Sequence, residues 1–186
     1  MEHLANLPLV AAVGVADGIG RLPGVDPDAV RIKWPNDILL DGAKCVGILI
    51  ESERLAAGTL GVAIGTGVNL QAPGRTDASY PIAALREHGF RGTIDEAFEA
   101  LAEGVEAALR RWDRGLGFAG VRAEWIARAK GVGEAVRVNL SDRVVDGRFL
   151  ELDASGRLVL ETSRGTREVF SAGDLFFSNM ASPVPV

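Results

Sequence analysis

Two short apolar runs, Asp37–Leu40 and 44–51, are separated by Asp41-Gly42-Ala43, and the first follows directly on Trp34-Pro35-Asn36. Asp-Gly between apolar segments signals a tight antiparallel hairpin, since both turn positions favour a positive φ. Proline at 35 drives the residue before it out of helix, so Val30–Lys33 reads as a strand that stops there. The stretch 30–51 is therefore predicted as strand, break, strand, turn and strand.

The remaining elements follow from local signals. Residues 7–19 are apolar and small, with Asn6 as an N-cap candidate and Pro8 in the first turn, and predict a buried helix. The segment 59–70, with Gly61, Gly65 and Gly67, is read as a central strand with close backbone approaches. Thr93-Ile94-Asp95-Glu96 is a capping box. After it Phe98, Leu101, Val105, Leu109 and Trp112 recur at helical spacing and predict a core-facing stripe ending near Gly115. A second helix is expected over 119–130, stopping at Gly131. Beyond Glu134 the texture changes to short alternating segments at 135–140, Val144–Leu152, 158–161 and 168–170. This pattern predicts a small barrel. The chain thus divides into residues 1–132 and 133–186.

Composition narrows the function classes. A net charge of −5 and a pI near 5.1 provide no global basic field for nucleic acid. No apolar run reaches the roughly 18–20 residues of a membrane span, and Met1-Glu2-His3-Leu4 lacks a basic secretory n-region. One cysteine and two distant histidines, His3 and His88, cannot build a disulfide or a metal site of N/S ligands. Both histidines are expected at the surface, Cys45 as a small buried hydrophobe, and the chain in the cytoplasm.

Chemistry concentrates around the hairpin. The chain holds three lysines, Lys33, Lys44 and Lys130, against seventeen arginines, and two of the three flank Asn36-Asp37. Lysine supplies a compact ammonium charge where arginine would supply a planar fork. Asp37 is a hard carboxylate suited to Mg²⁺ held between protein and phosphates. Two ammonium groups beside it can neutralise anionic oxygens as charge develops. No Ser/His or Cys/His nucleophile pair accompanies them, so the set suits electrostatic positioning of anions. The same residues also fit a surface hairpin with one ion pair worth under about 1 kcal/mol. Gly65-Thr66-Gly67-Val68-Asn69 can admit a flat ligand against backbone, but a strand crowded by its neighbour explains it equally well.

Lys33-Trp34-Pro35-Asn36-Asp37, then Lys44-x-x-Gly47-Ile48-Leu49-x-Glu51, then Gly65-x-Gly67-Val68-Asn69, resembles the biotin protein ligases. Gly147, Asp153-x-x-Gly156-x-Leu158 and Ser171-x-Gly173-Asp174 are similar to that family's small C-terminal SH3-like domain. The resemblance implies an α+β fold: a partial, mixed-sheet biotin/lipoate ligase-like catalytic core plus a small C-terminal SH3-like β-barrel. It implies joining of biotin to ATP with release of pyrophosphate, then transfer from biotinyl-5′-AMP to a lysine of a biotin carboxyl-carrier protein. By the same resemblance Lys44 and Asp37 are the catalytic residues, with Lys44 on the biotin carboxylate and α-phosphate. Lys44, Gly47, Ile48, Gly65 and Gly67 form the biotin site. Lys33, Asn36, Asp37 and Asn69 address ATP, and Asp37 also holds Mg²⁺.

The family carries a Gly/Arg-rich biotin loop ahead of this region, and the residues here begin after it. The expectations are a ligase shortened at its N-terminus, with apolar surface and strand edges left open, and no DNA-binding module or repressor activity. Pairing of two copies through a sheet edge is a further expectation. The competing readings are an inactive relative that binds biotin or the carrier, and a lipoate-type acyltransferase, for which Lys-Trp-Pro-Asn-Asp is not expected.

Overall fold

The computed structural model describes residues 4–55, 58–72, 74 and 80–177; His3 lies outside them. Helix α1 spans Leu7–Gly20 and is buried along nearly its whole length. Only Asp17 interrupts its apolar and small residues, as expected of a helix enclosed on all sides. Asn6 occupies the N-cap position, but its side chain makes no capping bond, and Pro8 sits in the first turn.

Strands β1 (Val30–Lys33), β2 (Asp37–Leu40), β3 (Ala43–Arg54) and β4 (Leu60–Val68) follow, and their sheet runs in chain order. Every pairing between these strands is antiparallel. The mixed character expected from the resemblance is confined, among the described residues, to two isolated parallel bridges, Ile32↔Ala129 and Lys44↔Ile82. Asp41 and Gly42 form the hairpin turn with φ of 48° and 83°.

The segment expected as a central strand is β4, and here it lies at the sheet edge. A Cβ on Gly65 or Gly67 would meet nothing closer than 3.7 Å, so crowding by a neighbour does not account for these two glycines, whereas one on Gly61 would lie 3.1 Å from the Leu55 side chain. One face of β4 lies over helix α2 (Ile94–Trp112), whose N-terminus carries the complete Thr93/Glu96 capping box. Between them runs an apolar groove of about 640 Å³ lined by Ile64, Val68, Phe98, Leu101 and Val105. Phe98, expected in the core stripe, is 70% exposed, whereas Leu101 and Trp112 are buried. The stripe is wider than the surface available to cover it, so its outer edge stays open. Open apolar surface and an unpaired strand edge are thus both present among the described residues.

Helix α3 (Phe118–Arg128) packs beside α1 and α2. Asp17 of α1 fastens all three helices, accepting Arg111 at 2.7 Å and Arg128 at 2.6 Å. The chain leaving α3 runs along β1, where the Lys130 amide donates to the Ile32 carbonyl at 2.9 Å.

A second antiparallel sheet then forms from β5 (Ala135–Asn139), β6 (Val144–Leu152), β7 (Leu158–Thr162), β8 (Arg167–Phe170) and β9 (Asp174–Phe177). Its order is β8-β7-β6-β5-β9, and β8 and β9 are not hydrogen-bonded to one another. The expected barrel is accordingly an unclosed sheet. Its buried face, including Val136, Val138, Phe149, Leu160 and Leu175, merges with the helical core. Trp125 of α3 meets Phe149 with ring centroids 6.4 Å apart. Most important for the site, β9 returns to pair with β5 and begins beside β1, where Asp174 meets Lys33.

Candidate active site

The turn between β1 and β2 contains a cis Trp34–Pro35 peptide. Trp34 is buried in the core, and Asn36 Nδ2 donates to the Ile48 carbonyl at 2.7 Å, tying the turn to β3. Lys33 and Asp37 are cross-strand partners, and Lys33 Nζ stands 3.2 Å from Asp37 Oδ2. Lys44 reaches the same carboxylate from β3, with Nζ 2.7 Å from Asp37 Oδ1. One aspartate therefore receives both ammonium groups.

That convergence depends on a bulge. Val46 pairs with Ile38, but Lys44 pairs with Leu39, leaving Cys45 as the extra residue in β3. Lys44 and Gly47 would face opposite ways in a regular strand. Here a Cβ built on Gly47 would lie 3.4 Å from Lys44 Cε and 3.8 Å from Asp37 Oδ1. The three residues share one face of the sheet.

Lys44 is held at its backbone as well. Its amide donates to the Pro81 carbonyl at 2.9 Å, and its carbonyl accepts from the Ala83 amide at 3.0 Å. Asn69 fastens this junction: its Nδ2 donates to the carbonyls of Lys44 and Ala83, each at 3.2 Å. Cys45 is buried, as expected, and burial pushes its thiol up to about 12 despite the opposing hydrogen bond to Asn69. His88, expected at the surface, is instead partly buried, with Nδ1 3.0 Å from the Ala84 carbonyl and Nε2 3.4 Å from Asp41.

The electrostatic balance of the cluster is close. Burial by itself favours the neutral amine of Lys44, but the hydrogen bond and charge of Asp37 outweigh it, assisted by Tyr80 and Asp174. The Lys44 pKa therefore ends above the ordinary lysine value. Lys33 is only 8% exposed, and a buried ammonium needs partners to offset lost hydration. It has Asp37, and it has Asp174 of β9 at 2.9 Å. The Phe176 and Tyr80 rings lie 5.4 and 5.9 Å from Lys33 Nζ, and Tyr80 lies 5.2 Å from Lys44 Nζ.

Gly65 and Gly67 stand opposite Leu49 and Gly47 across β3–β4. A Cβ on Gly67 would meet only the Gly47 carbonyl, at 3.8 Å, and one on Gly65 nothing closer than 3.7 Å. Gly47, Gly65 and Gly67 thus expose bare backbone on the Asp37–Lys44 face, a surface on which a flat ligand can lie. Ile48 is different. It alternates to the opposite face, is 8% exposed within the core, and meets the site through its carbonyl alone. Among the described residues no group of three or more His, Cys, Asp or Glu is placed to hold a metal ion.

The structure therefore gathers Lys33, Asn36, Asp37, Lys44, Gly47, Gly65, Gly67 and Asn69 around one patch. Sequence reasoning misses Tyr80, Asp174 and Phe176. Tyr80 is the chain's single tyrosine, a faint signal, and Asp174 stands out in the sequence only as part of a fold motif. Nothing in the local sequence near Phe176 connects it with a lysine on β1.

Comparison with known proteins gives this geometry its context. A family model described as the biotin/lipoate A/B protein ligase family matches residues 2–69. Another, described as the biotin protein ligase C terminal domain, matches residues 131–178. The biotin–[acetyl-CoA-carboxylase] ligase of Paracoccus denitrificans is 37% identical over 185 residues, covering 93% of this chain and 73% of that protein.

The chain belongs to the biotin protein ligase family.

A bifunctional ligase/repressor of Bacillus subtilis is 32% identical over 92% of this chain, which spans only 53% of that protein. Among solved structures, a biotin protein ligase from Aquifex aeolicus superimposes with a TM-score of 0.79 at 21% identity, covering 96% of this chain and 77% of its own. A biotin protein ligase-like protein of unknown function from Silicibacter gives 0.74 at 22% identity, covering 92% and 73%. The biotin protein ligase fold is thus common to this chain and both structures.

Proposed function

We propose that this chain carries out the chemistry of a biotin–[biotin carboxyl-carrier protein] ligase. The observation that carries the reading is the Asp37 carboxylate shared by Lys33 and Lys44 beside a glycine platform, in a chain 37% identical to the Paracoccus ligase. In the first half-reaction a biotin carboxylate oxygen attacks the α-phosphorus of ATP, and the bond to pyrophosphate breaks. In the second, the acceptor lysine amine attacks the acyl carbon, AMP leaves, and the amine loses a proton as the amide forms.

Biotin's ring would rest on Gly47, Gly65 and Gly67, with Ile48 contributing backbone. Lys44 would bridge the biotin carboxylate and the α-phosphate, and its raised pKa keeps it cationic at neutral pH. Lys33 would serve the nucleotide phosphates. Asn36 and Asn69 also belong to the ATP site in this reading, and both hold the backbone around Lys44 and Ile48. Both Asp37 oxygens face lysines, so the described residues do not fit a resident metal. Magnesium would instead arrive as part of the MgATP substrate, with Asp37 as the carboxylate that would meet it. In this reading residues 1–132 form the catalytic core and 133–186 the C-terminal domain, and the cytoplasm is the location. No described helix is long and apolar enough to cross a membrane.

A mass-spectrometric transfer assay tests this reading. The chain is mixed with biotin, MgATP and a biotin carrier domain, and both carrier mass and pyrophosphate release are followed. Biotinylated carrier is the expected result. A folded chain that neither modifies the carrier nor releases pyrophosphate overturns the proposal.

A further inference from the structure

The cluster on β1–β3 contains two lysines and, counting the residue contributed by β9, two aspartates. Lys33 and Lys44 against Asp37 and Asp174 leave no net positive charge with which to receive a polyphosphate. One carboxylate must yield for phosphate to gain an ammonium group. Asp37 is poorly placed to do so, because both its oxygens are engaged and its side chain is only 14% exposed. Asp174 has the opposite properties. It holds Lys33 through Oδ1 alone, at 2.9 Å, and its side chain is 56% exposed, so water can replace the lysine. Among the described residues strand β9 pairs only with β5 and is the edge of its sheet, with Asn139↔Asp174 as the terminal pair. The Phe176 ring over Lys33 is its second contact with the cluster.

We infer that Asp174 is a positioning residue that competes with nucleotide phosphate for Lys33. In the ligand-free chain it seats β9 against the site. When MgATP binds, Lys33 passes to phosphate and the start of β9 loosens. Nucleotide occupancy and docking of the C-terminal sheet are thereby coupled through one ammonium group, since a ligand shifts a docking equilibrium only by its unequal affinity for the two states. The inference rests on the nucleotide reading proposed above.

The test is calorimetric titration of MgATP into the full chain and into Asp174→Asn, which keeps shape and removes charge. Removing a competing, partly exposed carboxylate should tighten MgATP binding about two- to fivefold. A residue that merely ties two sheets together would give weaker or unchanged binding when lost, and either result overturns the inference while leaving the proposed function standing. Absence of MgATP binding by the folded wild-type chain overturns the proposed function and this inference with it. A second measurement needs no variant: amide hydrogen exchange at Asp174–Phe177 in the wild type should speed up on adding MgATP. Unchanged or slowed exchange there counts against the coupling.

Discussion

Lys44 and Gly47 lie three positions apart on one strand, yet they face the same side of the sheet because Cys45 is accommodated in a bulge. The bulge turns the Lys44 ammonium toward Asp37 while leaving bare backbone immediately beside it. An ammonium group and a flat platform, which strict alternation would put on opposite faces, thus become one site.

Lys44→Ala should keep the fold, because the side chain is partly exposed and its backbone bonds remain. Adenylation should fall by about 10²- to 10³-fold, the scale seen when a preorganised group facing developing charge is removed. Lys44→Arg keeps the charge but cannot reproduce a point ammonium, so partial activity is expected. Radiolabelled pyrophosphate exchange measures both, and wild-type exchange by Lys44→Ala would refute the assigned role.

Gly67→Val addresses the platform. A Cβ built there has only the Gly47 carbonyl within reach, at 3.8 Å, so the sheet should accept a side chain. The added methyls project over the bare backbone and should weaken biotin binding at least about tenfold, a cost near 1.4 kcal/mol. Calorimetry with biotin, beside a melting curve close to wild type, checks both halves of the expectation.

Cys45 gives a pH-dependent signature. With its thiol pushed up to about 12, the native thiolate population at pH 8 is minute, and alkylation should run about a thousandfold or more slower than for an exposed cysteine. The sign for stability follows. The unfolded thiol loses its proton near its ordinary value while the folded one does not, so the contribution is complete below the unfolded pKa. It is lost as pH rises from there through about 12. Iodoacetamide labelling with and without denaturant tests the first point, and chemical denaturation of wild type against Cys45→Ala across alkaline pH the second.

Thr93→Ala separates stability from chemistry. Thr93 Oγ1 accepts from the Glu96 amide at 3.2 Å, and Glu96 Oε2 accepts from the Thr93 amide at 2.6 Å. Losing this cap should cost about 1 kcal/mol. Because the Thr93 side chain is engaged with Glu96, and among the described residues Asp37 is paired with Lys33 and Lys44, adenylation per folded molecule should not change. Urea denaturation and pyrophosphate exchange on one preparation decide the point.

The sequence by itself determined the local grammar of this protein. Asp41-Gly42 specifies its turn because few residues tolerate a positive φ, Pro35 halts β1, and Thr93/Glu96 opens α2. It also pointed to the residues that converge at the site, since Lys33, Asn36, Asp37 and Lys44 stand out in a chain that otherwise uses arginine. Tertiary structure alone decided what those residues face. The bulge at Cys45 and the edge position of β4 depend on which strands pair, and pairing is not encoded by any one segment. Exposure of Phe98 likewise depends on what covers α2, which helical periodicity does not specify. The partnership of Lys33 with Asp174 spans 141 positions and exists only because β9 folds back onto β5. Local preferences act over a few bonds of backbone, whereas the charge balance of the site is set by chain segments that meet only after two sheets have packed on one core.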